Sequence, residues 1–144
     1  MTDRLRGFDT LFARLALAAG FLSAVADRFG LWGPPGGEGV AWGDFATFTG
    51  YAARINPWAP AAFVPALAWT ATLAEIALAL LLVVGYRIRL AALGSGLLLL
   101  LFALGMTAGT GIKSAFDASV LAASAAGFLL CTQKRFPFSF DERT

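Results

Sequence analysis

This sequence contains no histidine and one cysteine, Cys131, in 144 residues. Each shortage closes off a kind of chemistry. A dithiol shuttle needs a second cysteine. Most zinc and copper sites and the usual axial ligand of b-type haem need histidine, as do serine–histidine and cysteine–histidine nucleophilic pairs. No metal site and no catalytic constellation is therefore expected in this chain. Charge is scarce as well: 14% of residues are Asp, Glu, Lys or Arg, where a soluble domain carries about 25%.

Apolar residues are what the chain has in excess, at 58% of the composition, with a mean hydropathy of +0.73. A domain this small buries a limited share of its surface, so a soluble fold has no interior large enough for so many apolar side chains. The bilayer must be the solvent, and residues 1–144 are expected to form one transmembrane domain. The net charge is +2, yet the basic residues flank hydrophobic runs and are not interleaved with aromatics in a polar context. Nucleic acid is therefore not an expected partner.

Four apolar stretches cover residues 11–29, 63–86, 90–108 and 115–132. About 20 residues of helix span a hydrocarbon core roughly 30 Å thick. Continuous runs of Leu and Ala are not alternating barrel strands, so the spans are helical. The expected fold is all-α, an integral membrane four-helix bundle. The first stretch also has the layout of a secretory leader, with a basic start and Ala24-Val25-Ala26 before Asp27. Ser114-Ala115-Phe116-Asp117 fits a capping box that starts the fourth helix. Pro60 fits the first turn of the second helix, and Pro65 is placed to bend it. The short basic turn Gly85-Tyr86-Arg87-Ile88-Arg89 makes the second and third helices antiparallel neighbours.

The distribution of Lys and Arg sets an orientation. With the N-terminus in the cytoplasm, the inner side carries Arg4, Arg6, Arg14, Arg87, Arg89, Lys134, Arg135 and Arg143, and the outer side only Arg28, Arg54 and Lys113. Both termini are expected to be cytoplasmic. The connection over residues 30–60 begins with the turn-rich Trp32-Gly33-Pro34-Pro35-Gly36-Gly37-Glu38-Gly39. Within it, residues 44–56 place Phe45, Phe48, Ala52 and Ile55 at helical spacing, with Asp44 as N-cap and Trp42 and Trp58 on the flanks. They predict a short amphipathic helix lying at the outer interface, with an ordinary loop as the alternative. Small residues recur every four positions at Ala16, Gly20 and Ala24, at Gly105 and Gly109, and at Ser119, Ala123 and Gly127. These stripes are expected to serve close helix packing within the monomer.

Glu75 is the residue most in need of an explanation. It lies about ten residues, roughly 15 Å, before the inner end of the second helix. A carboxylate at such depth is costly, by about 2.5–3.5 kcal/mol for Asp on insertion scales. Its helical neighbours Ala68, Ala71, Thr72, Ala79 and Leu82 define a face that should turn inward. Arg14 shares one face of the first helix with Phe21, Val25 and Arg28 and is the expected partner in a buried intramembrane pair. The alternative sends Arg14 to lipid phosphates and leaves Glu75 protonated on a backbone carbonyl. Asp27 and Arg28 read either as interfacial charges beside water or, with Arg54, Trp32 and Trp58, as the lining of an outer-face pocket.

The order Arg14-Leu15, Gly20-Phe21 and a basic residue closing the first helix, then Ala74-Glu75, Leu80-Leu81-Leu82-Val83-Val84-Gly85 and the basic turn, resembles the DoxX-like membrane proteins. The resemblance covers nearly the whole chain. It implies a four-helix bundle in a bacterial inner membrane, in which Arg14, Arg28 and Glu75 match the family's polar positions. Relatives include the small subunit of an archaeal thiosulfate:quinone oxidoreductase, and others associate with redox or thiol-stress complexes. The chain departs from the pattern at Ala26-Asp27-Arg28-Phe29, where a Gly-x-x-Lys is more usual, and at Ala79, in place of a small glycine run.

Two functions follow as expectations. One is a redox-associated subunit in which Glu75 exchanges a proton with a bound quinone, while a partner protein or bound cofactor holds the electrons. The other is an assembly or accessory protein with no redox chemistry of its own; a third, a small transporter or lipid-binding protein, is disfavoured by the absence of an internal repeat or paired broken helices in the sequence.

Overall fold

Every regular element in the computed structural model, which describes residues 2–142, is helical. Arg143 and the side chains of Arg4 and Arg6 lie outside the described residues. In chain order the helices are α1 (Thr2–Arg28), α2 (Phe45–Ile55), α3 (Val64–Val84), α4 (Ile88–Thr110), α5 (Ile112–Asp117) and α6 (Val120–Cys131), with 3-10 turns at Ala61–Phe63 and Phe140–Glu142. Three segments are long and apolar enough to cross a membrane: Gly7–Arg28, Ala61–Val84 and Ile88–Thr110. Ala24-Val25-Ala26 lies inside α1, with Val25 buried.

The fourth apolar stretch departs from expectation. It is broken at Ala118 and Ser119 into the six-residue α5 and the twelve-residue α6, and Ser119 takes a left-handed conformation (φ +55°). Ser114 does not cap it. Gly111, with φ +91°, both ends α4 and starts α5, which places Ser114 inside the helix with its hydroxyl donating to the Gly111 carbonyl at 2.8 Å. Asp117 pairs instead with Lys113, four residues back. Pro65 introduces no bend because it falls in the first turn of α3, where its missing N–H costs nothing.

α1 runs antiparallel to α3, α3 to α4, and α4 to α6; α1 also packs on α6. Both chain ends therefore lie at the end of the molecule that carries the α3–α4 turn, here called the tail end. The apolar interior has two parts. One, at the tail end, gathers Leu17, Phe21, Leu82, Ile88, Ala92 and Leu130. The other gathers Phe48 and Ala52 of α2 with Val64 and Ala68 of α3. Many large apolar side chains face outward, among them Leu73, Leu80, Leu101 and Leu104, which is the pattern of helices solvated by lipid.

Small residues set the closest approaches. A Cβ on Gly127 would meet the Gly96 nitrogen at 2.7 Å, so α6 and α4 touch backbone to backbone. Gly109 of α4 lies against the last turn of α2, where a Cβ would meet the Arg54 carbonyl oxygen at 2.0 Å. The Ala16, Gly20 and Ala24 stripe serves no such packing, since nothing lies within 4 Å of a Cβ on Gly20. The buried face of α1 is instead the one that carries Arg14, Phe21, Val25 and Arg28.

The C-terminal tail folds back over the tail end. Gly85 (φ +75°) closes α3 in a left-handed cap, and its carbonyl accepts the Asp141 amide at 3.0 Å. The Asp141 carboxylate accepts the Arg87 and Ile88 amides at 2.8 and 2.7 Å, at the start of α4. Those amides have no intrahelical acceptor, and a carboxylate is favoured at a helix N-terminus.

Candidate functional site

α2 begins where Asp44 accepts the Thr47 amide at 2.7 Å, the N-cap foreseen from the sequence. Phe48, Ala52 and Ile55 form its buried face. That face seats α2 across α3 and α4 and puts Phe48 directly over the end of α1.

Beneath Phe48 lies a buried ion pair. Arg28 donates from Nη2 to Oε1 of Glu75 and from Nη1 to Oγ1 of Thr72, both at 2.8 Å. Thr72 and Glu75 are three residues apart on α3 and so share its inward face. The Thr72 hydroxyl in turn donates a hydrogen bond to the Ala68 carbonyl at 2.8 Å. The guanidinium carbon sits 3.7 Å from the centroid of Phe48 and 5.3 Å from that of Trp42, so aromatic faces close the site on the side of α2. Arg28 and Glu75 retain 2% and 1% of their exposure. Two buried atoms stay without a hydrogen-bond partner, Nε of Arg28 and Oε2 of Glu75. The site thus holds one spare donor and one spare acceptor.

Asp27, the residue before Arg28, faces the other way. Its carboxylate accepts the amides of Ala41, Trp42 and Gly43 at 2.8, 2.8 and 2.9 Å. Three converging amides fix the connection that enters α2. Gly43 must be glycine there: its φ is +76°, and a Cβ would meet the Pro35 nitrogen at 2.3 Å. Adjacent Asp27 and Arg28 therefore anchor the loop and the α3 helix, respectively.

The expected pair of Arg14 and Glu75 does not form. Arg14 is buried, but it donates to the Leu82, Val83 and Pro137 carbonyls at 3.0, 3.3 and 3.3 Å. In the antiparallel register of α1 and α3, Arg14 lies level with Leu82, seven residues or about 10 Å from Glu75. The free carbonyls ending α3 attract a cation, so Arg14 does not reach lipid phosphates either. Glu75 instead meets Arg28, which approaches from the opposite end of α1.

The expected outer-face pocket is not assembled as a unit. Asp27 and Arg28 turn inward, while Trp58 is 71% exposed and Arg54 is exposed. Arg54 lies two positions after buried Ala52 and so points away from the α2 seat. Trp32 is also exposed and donates its indole N–H to the Ser23 carbonyl at 3.1 Å. Sequence reasoning gave Thr72 and Phe48 inward faces but no contact with Arg28. Their joining depends on where α2 lands, which periodicity does not encode. Among the described residues, no three His, Cys, Asp or Glu side chains cluster closely enough to hold a metal ion.

Compared with protein-family models, curated proteins and solved structures, the chain matches none of them.

Proposed function

We propose that this chain is a small multi-pass protein of the bacterial inner membrane, acting as a non-catalytic assembly or accessory subunit of a membrane complex. In this reading the broken segment over residues 112–131 is the fourth crossing, and α2 rests at the outer membrane interface. The tail end then faces the cytoplasm and holds both termini, which supports the inner placement of Arg87, Arg89, Lys134 and Arg135.

The observation that carries the proposal is the use of three buried charges, Asp27, Arg28 and Glu75, at the end of the bundle opposite the tail. Asp27 clasps the loop, while Arg28 and Glu75 lock α1 to α3 beneath Phe48. Buried pairs of this kind serve to select one arrangement of helices, and a fixed outer platform is what a partner subunit needs. Gentle detergent purification followed by mass spectrometry tests it: a partner chain at fixed stoichiometry, without quinone, is the expected outcome. Recovery of the chain alone would overturn it. Reporter fusions at Tyr86 and Gly36 test the orientation, with the first expected in the cytoplasm and the second outside.

One observation favours a second reading, that of a DoxX-like, quinone- or redox-associated subunit. The spare Glu75 oxygen and Arg28 nitrogen are an acceptor and a donor suited to a quinol hydroxyl and a quinone carbonyl. Electrons would have to come through a redox partner protein or bound cofactor, since the chain has no dithiol and no histidine. Co-purified quinone that disappears in Glu75→Gln would select this reading over the first.

A further inference from the structure

At the tail end, the basic turn between α3 and α4 and the segment after α6 come together around an open depression. It has a volume of about 380 Å³ and is lined by Arg87, Arg89, Leu90, Lys134, Phe136 and Asp141. Arg135 lines a second hollow that shares Lys134, Phe136 and Asp141 with the first. The four basic side chains are exposed. Among the described residues, none of them is within ion-pair distance of a carboxylate. Asp141, the acid among the lining residues described, has its oxygens turned to the first amides of α4. It ties the tail to the turn, bringing Lys134 to Arg87 and Arg89, so that among the described residues three basic side chains and one acid line the depression.

The shape continues beyond the charges. Leu90, in the wall of the depression, begins a row on α4 with Leu93, Leu97, Leu101 and Leu104, all exposed. Steps of three and four residues keep them on one helix face. The row extends about 21 Å along α4 at the standard helical rise. Exposed Phe138 and Phe140 stand beside the basic cluster, and Phe140 packs edge-on against Tyr86 at 6.0 Å.

We propose that this depression binds the phosphate headgroup of an anionic phospholipid, with an acyl chain lying along the leucine row of α4. The anion is recognised by Arg87, Arg89 and Lys134. Guanidinium groups match phosphate oxygens in pairs, and lysine adds a point charge. A basic pocket between helices at the cytoplasmic face is where such headgroups bind. The apolar track opening from the pocket favours a lipid over a free phosphate, which would use the charges alone. The inference rests on the membrane embedding proposed above.

The test is native mass spectrometry of the full chain in neutral detergent, offered dioleoylphosphatidylglycerol and dioleoylphosphatidylcholine at equal concentration. Each Lys or Arg near a membrane surface gives about a fivefold preference. The double variant Arg89→Gln, Lys134→Gln is thus expected to lower phosphatidylglycerol retention about 25-fold at the limit of full additivity. Both residues are exposed, so the fold should tolerate the change, and unchanged helical circular dichroism checks this. Lys113→Gln, at the opposite end, should leave retention as it is. Equal retention of the two lipids, or no loss in the double variant, overturns the proposal. So does displacement of phosphatidylglycerol by equimolar inorganic phosphate, which would make the ligand a soluble anion. Release of the chain from membranes by alkaline carbonate would instead mark a failure of the embedding itself.

Discussion

Arg28 and Glu75, 47 residues apart in the chain, meet at 2.8 Å with almost no exposure. Arg28 comes from the end of α1 and Glu75 from the middle of α3. Removing one partner strands the other as an uncompensated buried charge, at a cost of about 3–5 kcal/mol. Arg28→Met and Glu75→Leu should each destabilise the protein on that scale. The double variant should lose far less than the sum of the two. A double-mutant cycle from detergent unfolding curves measures the coupling, and additive losses would show that the pair does not operate.

Arg14 acts on the last carbonyls of α3 and on the tail. Hydrogen bonds made by a charged group contribute about 1.5–3 kcal/mol each. Arg14→Met should therefore destabilise the tail end and free residues 132–142 for proteolysis, with the Arg28–Glu75 pair and the seat of α2 unchanged. Hydrogen exchange at Asp141, whose amide bonds to Gly85, reports the release directly.

Two glycines in helices should respond in opposite directions. Gly109→Ala places a Cβ on the Arg54 carbonyl, 2.0 Å away, and must push α2 off α4. Gly20→Ala meets nothing within 4 Å and should stabilise α1 by about 0.5–1 kcal/mol through reduced backbone freedom. Thermal unfolding of both variants separates packing from propensity.

Asp44 provides a pH dependence local to α2. The Thr47 amide and hydroxyl hold its carboxyl below the ordinary range. A group depressed in the folded state stabilises fully above its unfolded value and loses that contribution as pH falls through its folded value. The protection of α2 amides, corrected for their intrinsic exchange rates, should therefore fall as pH drops below about 3.9, the usual Asp value. Asp44→Asn should make that dependence flat.

The helices were legible because periodicity and length are local properties. Residues 63–86 and 90–108 foretell α3 and α4 closely, and Phe48, Ala52 and Ile55 foretell the seat of α2. The inward face of Glu75 was also legible: Ala68, Thr72, Ala79 and Leu82 are buried beside it, and Ala71 is half-buried. The partner of Glu75 was not. Choosing between Arg14 and Arg28 requires the register of α1 against α3, and both arginines lie on the correct face. The break at Ser119 was equally hidden, because neither Gly nor Pro marks it. Asp141 as a cap for α4 could not be read from spacing, since 53 residues separate it from Ile88.

The contact between Arg14 and Pro137 spans 123 positions. During synthesis the first helix must wait for Pro137 before its guanidinium has its full set of acceptors. Until then the ribosome-bound intermediate has an open tail end, even with α1, α3 and α4 already made. Closure of this end thus follows the synthesis of Pro137. A fusion attached closely after residue 142 would sit on the closure itself, whereas one in the loop around Gly36 would leave it free.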